Sequence, residues 1–209
     1  MKIRSELVTE FRQWIDQPHV AVVTATMANY EINKAYREMI ALINTWNEKF
    51  YLTTGTITTT VAVQYVAVPS DCVMPKRLID SDGNTLKHKN LDQFDYALTT
   101  GEPVYWDGAG RYIRFSPIPD ASTYSYTIYY TKMPSELSTD GAVPEFVPGY
   151  EGLIALKAAI NSKLIREEGT REMAQMAYLE ELKALRHVVI TQQTGGGSRI
   201  LDSEYDLDN

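Results

Sequence analysis

A single cysteine, Cys72, stands in 209 residues, so no internal disulfide can form. With the N-terminal stretch MKIRSELVTEF carrying charge from its second residue and no uninterrupted apolar core, no signal peptide is expected. A reducing compartment, the cytoplasm, fits a lone thiol. No run approaches 18 uncharged apolar residues, which leaves no candidate for a transmembrane helix. Cations are also scarce: 20 Lys and Arg face 27 Asp and Glu, a net charge of −7. Tight binding to nucleic-acid phosphates rests on clustered cations, so that class is disfavoured. DNA would pass such a surface without sticking.

Catalytic and metal signatures are missing too. There is no phosphate-cradling G-x-x-x-x-G-K-[ST], and Gly108-Ala-Gly110 lacks the third glycine and following helix of a dinucleotide fingerprint. In Asp80-Ser81-Asp82-Gly83-Asn84 the glycine arrives too early for a calcium loop and no Glu follows at the twelfth position, so a hairpin turn explains it better. His19, His88 and His187 lie in three different elements with no partner at ligand spacing. Glu167-Glu168 and Glu180-Glu181 read as solvated helix faces. The sequence predicts no enzyme, no metal and no cofactor.

What is present is ordinary globular material, 44% hydrophobic and 22% charged, enough to bury a core. Ile3, Leu7, Phe11, Trp14 and Ile15 share one helical face over 3–16, ended by Pro18. Ile32, Tyr36, Met39, Ile40, Ile43 and Trp46 do the same over 28–48. The character then turns to Thr, Val, Tyr and Ile, predicting strands at 51–59 and 64–68. Ser81-Asp-Gly-Asn84 predicts a hairpin over 78–87, and Gly108-Ala-Gly110 another between 104–107 and 111–115. A short helix is expected at 91–98. Tyr124, Tyr126, Ile128 and Tyr130 alternate as a last strand.

Residues 133–148 read as a linker, rich in Pro, Ser and Gly. Two amphipathic helices follow, the first starting near Gly149, with Gly169 as its C′ residue and Thr170 as the next N-cap. Leu153, Leu156, Ile160 and Leu164 form a row on the first; Met173, Ala177, Leu182, Leu185 and Val189 lie on the face of the second. The expected fold is α+β. A helical bundle is built from the N-terminal helices (1–49) and a C-terminal hairpin (149–190). An antiparallel β part (50–132) is inserted between them, and a glycine-bearing, acidic arm (191–209) follows.

The order of these elements carries a resemblance. Two helices end in an aromatic cluster (Trp46, Phe50, Tyr51), and Thr-rich strands close with Val68-Pro69-Ser70-Asp71. Phe115-Ser-Pro-Ile-Pro-Asp120 precedes the Tyr-rich strand, and a proline-led helical hairpin with a glycine-bearing tail ends the chain. The whole resembles the head-to-tail adaptor (connector) proteins of tailed bacteriophages, including the gatekeeper or tail tubular adaptors of short-tailed phages.

The resemblance implies a homo-oligomeric ring, commonly of twelve copies, in the virion at the portal–tail junction, assembled in the host cytoplasm. Its partners would be the portal protein and a tail or nozzle protein, with DNA crossing the channel without sequence-specific binding and no membrane involved. The hairpin would build the ring through Tyr150, Leu153, Leu156, Lys157, Arg166, Met173, Met176, Leu179 and Arg186. The arm would dock on the portal through Arg199, Ile200, Leu201, Tyr205 and Leu207. A heterologous contact that closes is what a ring requires. A tail completion or stopper protein of the same particle, or a non-viral scaffold module, is the other reading.

Overall fold

The computed structural model describes residues 1–15, 23–90, 99–121, 123–162, 164–165 and 168–193. Helix α1 (Arg4–Trp14) buries Leu7 and Phe11, and α2 (Ala25–Trp46) buries Ile32, Tyr36, Met39, Ile40 and Ile43, the faces expected from their spacing. The Thr24 hydroxyl accepts the Met27 N–H and caps α2.

The helical hairpin differs from expectation at both ends. Gly149 adopts φ +88°, and the Tyr150 N–H donates to the Val147 carbonyl, a turn that delays α3 until Gly152. Helix α3 (Gly152–Ser162) then stops early. The Ser162 hydroxyl donates to the Ala159 carbonyl and accepts the Leu164 N–H, a local alternative to continuing the helix. Helix α4 (Glu168–Gln193) consequently begins before Gly169, so Gly169 and Thr170 lie in its first turn and are neither C′ nor N-cap.

α3 packs against α1, α2 and α4 at once, and Leu153, Ile154, Ala155, Leu156, Ala158 and Ala159 are all buried. Three alanines among these six let the neighbouring helices approach closely. α4 is covered on one side only: Ala174, Leu185 and Val189 are buried, with Ala177, Tyr178 and Leu182 packed at the margin. Met173, placed by its spacing on the same apolar face as Leu185 and Val189, is instead 57% exposed. It lies a quarter-turn or more from Ala174 and Leu185 at 3.6 residues per turn.

The β part forms two main sheets over a second core of Ile57, Leu78, Trp106, Ile113, Phe115, Tyr126, Ile128 and Tyr130. In one, β9 (Ser125–Lys132) lies between β1 (Leu52–Thr58) and β3 (Cys72–Ile79), antiparallel to both. In the other, the order is β2 (Tyr65–Ala67), β7 (Tyr112–Ser116), β6 (Tyr105–Ala109), β4 (Lys87–His88). The 105–116 hairpin turns at Gly110, φ +63°.

The expected 78–87 hairpin is present and short: the Asp80 N–H donates to the Asn84 carbonyl, Ile79 bridges Thr85, and the Leu86 N–H donates to the Leu78 carbonyl. The Asp80 carboxylate accepts the N–H groups of Asp82 and Asn84, and the arms then part, β4 running parallel to β6. A two-stranded pair, β5 (Thr100–Gly101) with β8 (Ile118–Pro119), has no counterpart in the sequence reading. The helix expected at 91–98 lies outside the described residues.

Residues 133–148, read as a linker, lie strapped to the bundle. Leu137, Phe146 and Val147 are buried in the helical core. The first N–H groups of α1, on Arg4 and Ser5, donate to the carbonyls of Ala142 and Asp140, giving the helix start its partners. The Arg4 guanidinium donates to the carbonyls of Leu137 and Ser138 and pairs with Asp140. Both Tyr36 and Tyr51 donate their hydroxyls to the Glu145 carbonyl, and burial pushes both phenols above their ordinary pKa.

Two outcomes follow for urea unfolding of the intact chain. Leu153→Ala should cost about 2–5 kcal/mol, the price of a cavity at a fully enclosed site. Arg4→Ala should cost about 1–3 kcal/mol through the stranded strap carbonyls. By contrast, Asp140→Ala should cost under about 1 kcal/mol, because its carboxylate is 82% exposed. Equal losses at Arg4 and Asp140 would assign the strap to the ion pair instead.

Candidate assembly surface

The feature of the bundle that its own core does not use is the outer side of α4. Met173 (57% exposed), Met176 (64%) and Leu179 (55%) stand at three-residue intervals along it, and exposed Ile190 continues the same side. At 3.6 residues per turn Met176 lies opposite Ala174 and Leu185, and Leu179 and Ile190 lie a third of a turn or more from both. Glu172, Glu180, Lys183 and Arg186, all exposed, are interleaved with the row on the same side of the helix. Methionine is over-represented at adaptable binding surfaces.

The nine hairpin residues expected to build a ring separate into groups. Met173, Met176, Leu179 and Arg186 come together on this outer side. Leu153 and Leu156 do not: they are buried in the subunit's own core and leave no surface for a neighbour. Tyr150 is half-buried against that core. Lys157 is engaged within the subunit, its Nζ 3.7 Å from Glu38 Oε2 and 5.4 Å from the Tyr178 ring centroid. Arg166, and the arm residues Arg199, Ile200, Leu201, Tyr205 and Leu207, lie outside the described residues.

Tyr178 marks the inner edge of the row. Its hydroxyl approaches Met39 Sδ at 3.4 Å, and burial, with the nearby Glu38 carboxylate, raises its pKa. Val189, further along, presents its carbonyl to the Asn47 side chain at 3.1 Å. α4 therefore runs alongside α2 towards the β part and ends beside the junction of the two cores. There Thr131 donates to the Glu48 carbonyl, Lys76 pairs with Glu48, and Lys132 pairs with Glu145.

Among the described residues, no group of three His, Cys, Asp or Glu side chains could hold a metal ion, and no helix is long and apolar enough to cross a membrane. Two shallow surface grooves run along α1, both lined by Lys2, Glu10 and Gln13. Burial pushes the Cys72 thiol up to about 11, with the Asp71 carboxylate adding to the shift, so it carries little thiolate near neutrality. The chemistry available to this surface is apolar contact interspersed with charges of both signs.

The search of curated proteins finds no match. A family model described as SU10 adaptor protein matches residues 4–200, which takes in both N-terminal helices, the β part and the whole of α4. The chain therefore belongs to the SU10 adaptor protein family, and is in kind a head-to-tail adaptor of a tailed bacteriophage.

Proposed function

We propose that this virion component forms a ring beneath the portal, with α4 of each copy packed against a different face of the next. DNA passes through the opening and the tail attaches on the far side. The observation that carries the reading is the exposed row Met173, Met176, Leu179 on the outermost helix of an otherwise well-filled bundle. A row on one side of one helix meets an unlike surface on a neighbour, which is the geometry of a heterologous, closing contact. Twelve copies are the number such adaptors commonly use. The role is structural, not enzymatic, and the arm residues Arg199, Ile200, Leu201, Tyr205 and Leu207 are assigned to the portal contact.

The size of the row bears on when the ring forms. Burying three side chains already half covered gains roughly 1 kcal/mol each, on the order of 3–4 kcal/mol together. Association costs about 4–15 kcal/mol in lost rigid-body freedom. The row alone therefore does not hold free copies together. A portal already present as a platform makes the contacts effectively intramolecular and tips the balance. The free chain is accordingly monomeric at micromolar concentration and closes into a ring only on the portal.

Met176→Glu with Leu179→Glu tests this. The double variant should unfold within about 0.5 kcal/mol of the parent, as exposed substitutions do, and sediment as a monomer as the parent does. Electron microscopy of portal-bearing particles should show the adaptor ring with the parent chain and no ring with the variant. A complete ring built from the variant would remove α4 from the interface.

A further inference from the structure

A contact that closes into a ring needs two unlike surfaces on every copy, and the outer side of α4 is one of them. The other must offer apolar area to Met173 and Met176 and must face away from α4. Among the described residues of the bundle beyond α4, the exposed large apolar side chains are Met1 at the terminus, Val143 in the strap, and Met27 (47%) and Tyr30 (61%), the last two both on α2. α1 is unlike α2 in this respect. Its outer side presents Glu6, Thr9 and Gln13, all polar and exposed.

Within the subunit α2 and α4 lie side by side, and their contact fixes which way each outer side points. Tyr178 reaches Met39 Sδ and Val189 presents its carbonyl to Asn47, so the two helices run in the same direction. Tyr30 stands nine residues before Met39, about two and a half turns, and so lies on the opposite side of α2. Ala41, two residues after Met39 and exposed, shares that side. On α4, Met176 stands two residues before Tyr178, about half a turn, and also points away from the pair. The two surfaces therefore face opposite ways across the α2–α4 pair. That is the arrangement that repeats head to tail.

Charge and shape agree with that match. One ring step is a rotation of only about 30° for twelve copies, so α4 of one copy meets α2 of the next still running in the same direction. The order of charges suits that sense. Along α4's outer side Glu172 and Glu180 precede Lys183 and Arg186, while along α2 the cations Lys34 and Arg37 precede Glu48, which stays largely exposed beside its partner Lys76. The last carbonyls of α2 add the negative end of the helix dipole at the same place. Glu38, at the margin of this side of α2, is turned to α3, its carboxylate accepting the Asn161 amide at 2.7 Å. Ala41 sits between Arg37 and Thr45, one turn to either side, and its small side chain leaves a seat that a flexible methionine can fill.

We propose that the outer side of α4, Met173 and Met176 foremost, packs on the outer side of α2 of the neighbouring copy, around Tyr30, Lys34 and Ala41. The inference rests on the proposed ring and adds to it the receiving surface. α2 and α4 then alternate around the ring like the staves of a barrel. Each α2 is held by its own α4 on one side and by a neighbour's α4 on the other.

Chemical cross-linking in portal-bearing particles tests the pairing, in a Cys72→Ser background so that only introduced thiols react. Met176→Cys is combined in turn with Tyr30→Cys, Lys34→Cys and Ala41→Cys, and a short bis-maleimide is added. Each copy then offers a thiol to both neighbours, so at least one pair should give a ladder of dimers, trimers and larger multimers. Met176→Cys combined with Thr9→Cys on α1 should stay monomeric. Electron microscopy of the same particles separates the failures. A ring with no ladder from any α2 position, or with a ladder from the Thr9 pair instead, overturns the assignment to α2 and leaves the ring standing. A ring lost with the α2 substitutions but kept with Thr9→Cys upholds the assignment. Absence of a ring in particles built from the parent chain overturns the ring itself, and this contact with it.

Discussion

The near-complete enclosure of α3 is the constraint on which the other features rest. A helix whose buried face holds Leu153, Ile154, Ala155, Leu156, Ala158 and Ala159 needs three other helices around it, and only a narrow side with Lys157, Ile160 and Asn161 stays partly exposed. The chain meets that demand from both ends, with α1 and α2 from the N-terminal side and α4 from the C-terminal side. The β part is thereby forced into the middle of the sequence as an insertion. The strap at 133–148 brings the chain back from β9 to the start of α1, where its carbonyls satisfy the first helical N–H groups. Removing any one of these pieces exposes α3.

Enclosure of α3 also determines what is left over. With three helices around one, the outermost can be covered only on its inner side, and α4 is that helix. Its inner side needs just Ala174, Leu185 and Val189. Among the described residues, Met173, Met176 and Leu179 stay more than half exposed. The bundle is otherwise well filled, and the row is what the proposed assembly would cover. That combination suits a part of a particle which must fold first and assemble afterwards.

Much of the fold is legible in the sequence, because α1, α2 and the strands at 105–116 and 125–132 are locally periodic and bury one face each. Where the reading departs from the structure, the deciding partner is distant in sequence. Beyond the short 78–86 hairpin, β4 takes a parallel place beside β6, which nothing local announces. β5 and β8 are two residues each, too short to show a period. The strap has the composition of a linker, and the long-range contacts of Arg4, Asn33, Tyr36, Arg37 and Tyr51 anchor it. Local serine chemistry, rather than Gly169, ends α3.

The assembly surface was legible in part for the same reason. A wide apolar helix looks identical in sequence whether its second side meets its own domain or a neighbour. Leu153 and Leu156 therefore read as interface until their enclosure was visible, whereas Met173, read both on the apolar face and among the ring-building residues, is exposed. Methionine supplies the direct measurement of the central claim, that the outer side of α4 is covered on assembly. Met173 and Met176 should oxidise readily under mild peroxide in the free subunit, as exposed thioethers do, while fully buried Met39 resists. In intact particles, mass spectrometry of the same chain should find Met173 and Met176 protected nearly to the level of Met39. Oxidation of both at the free-subunit rate inside the particle would contradict the account.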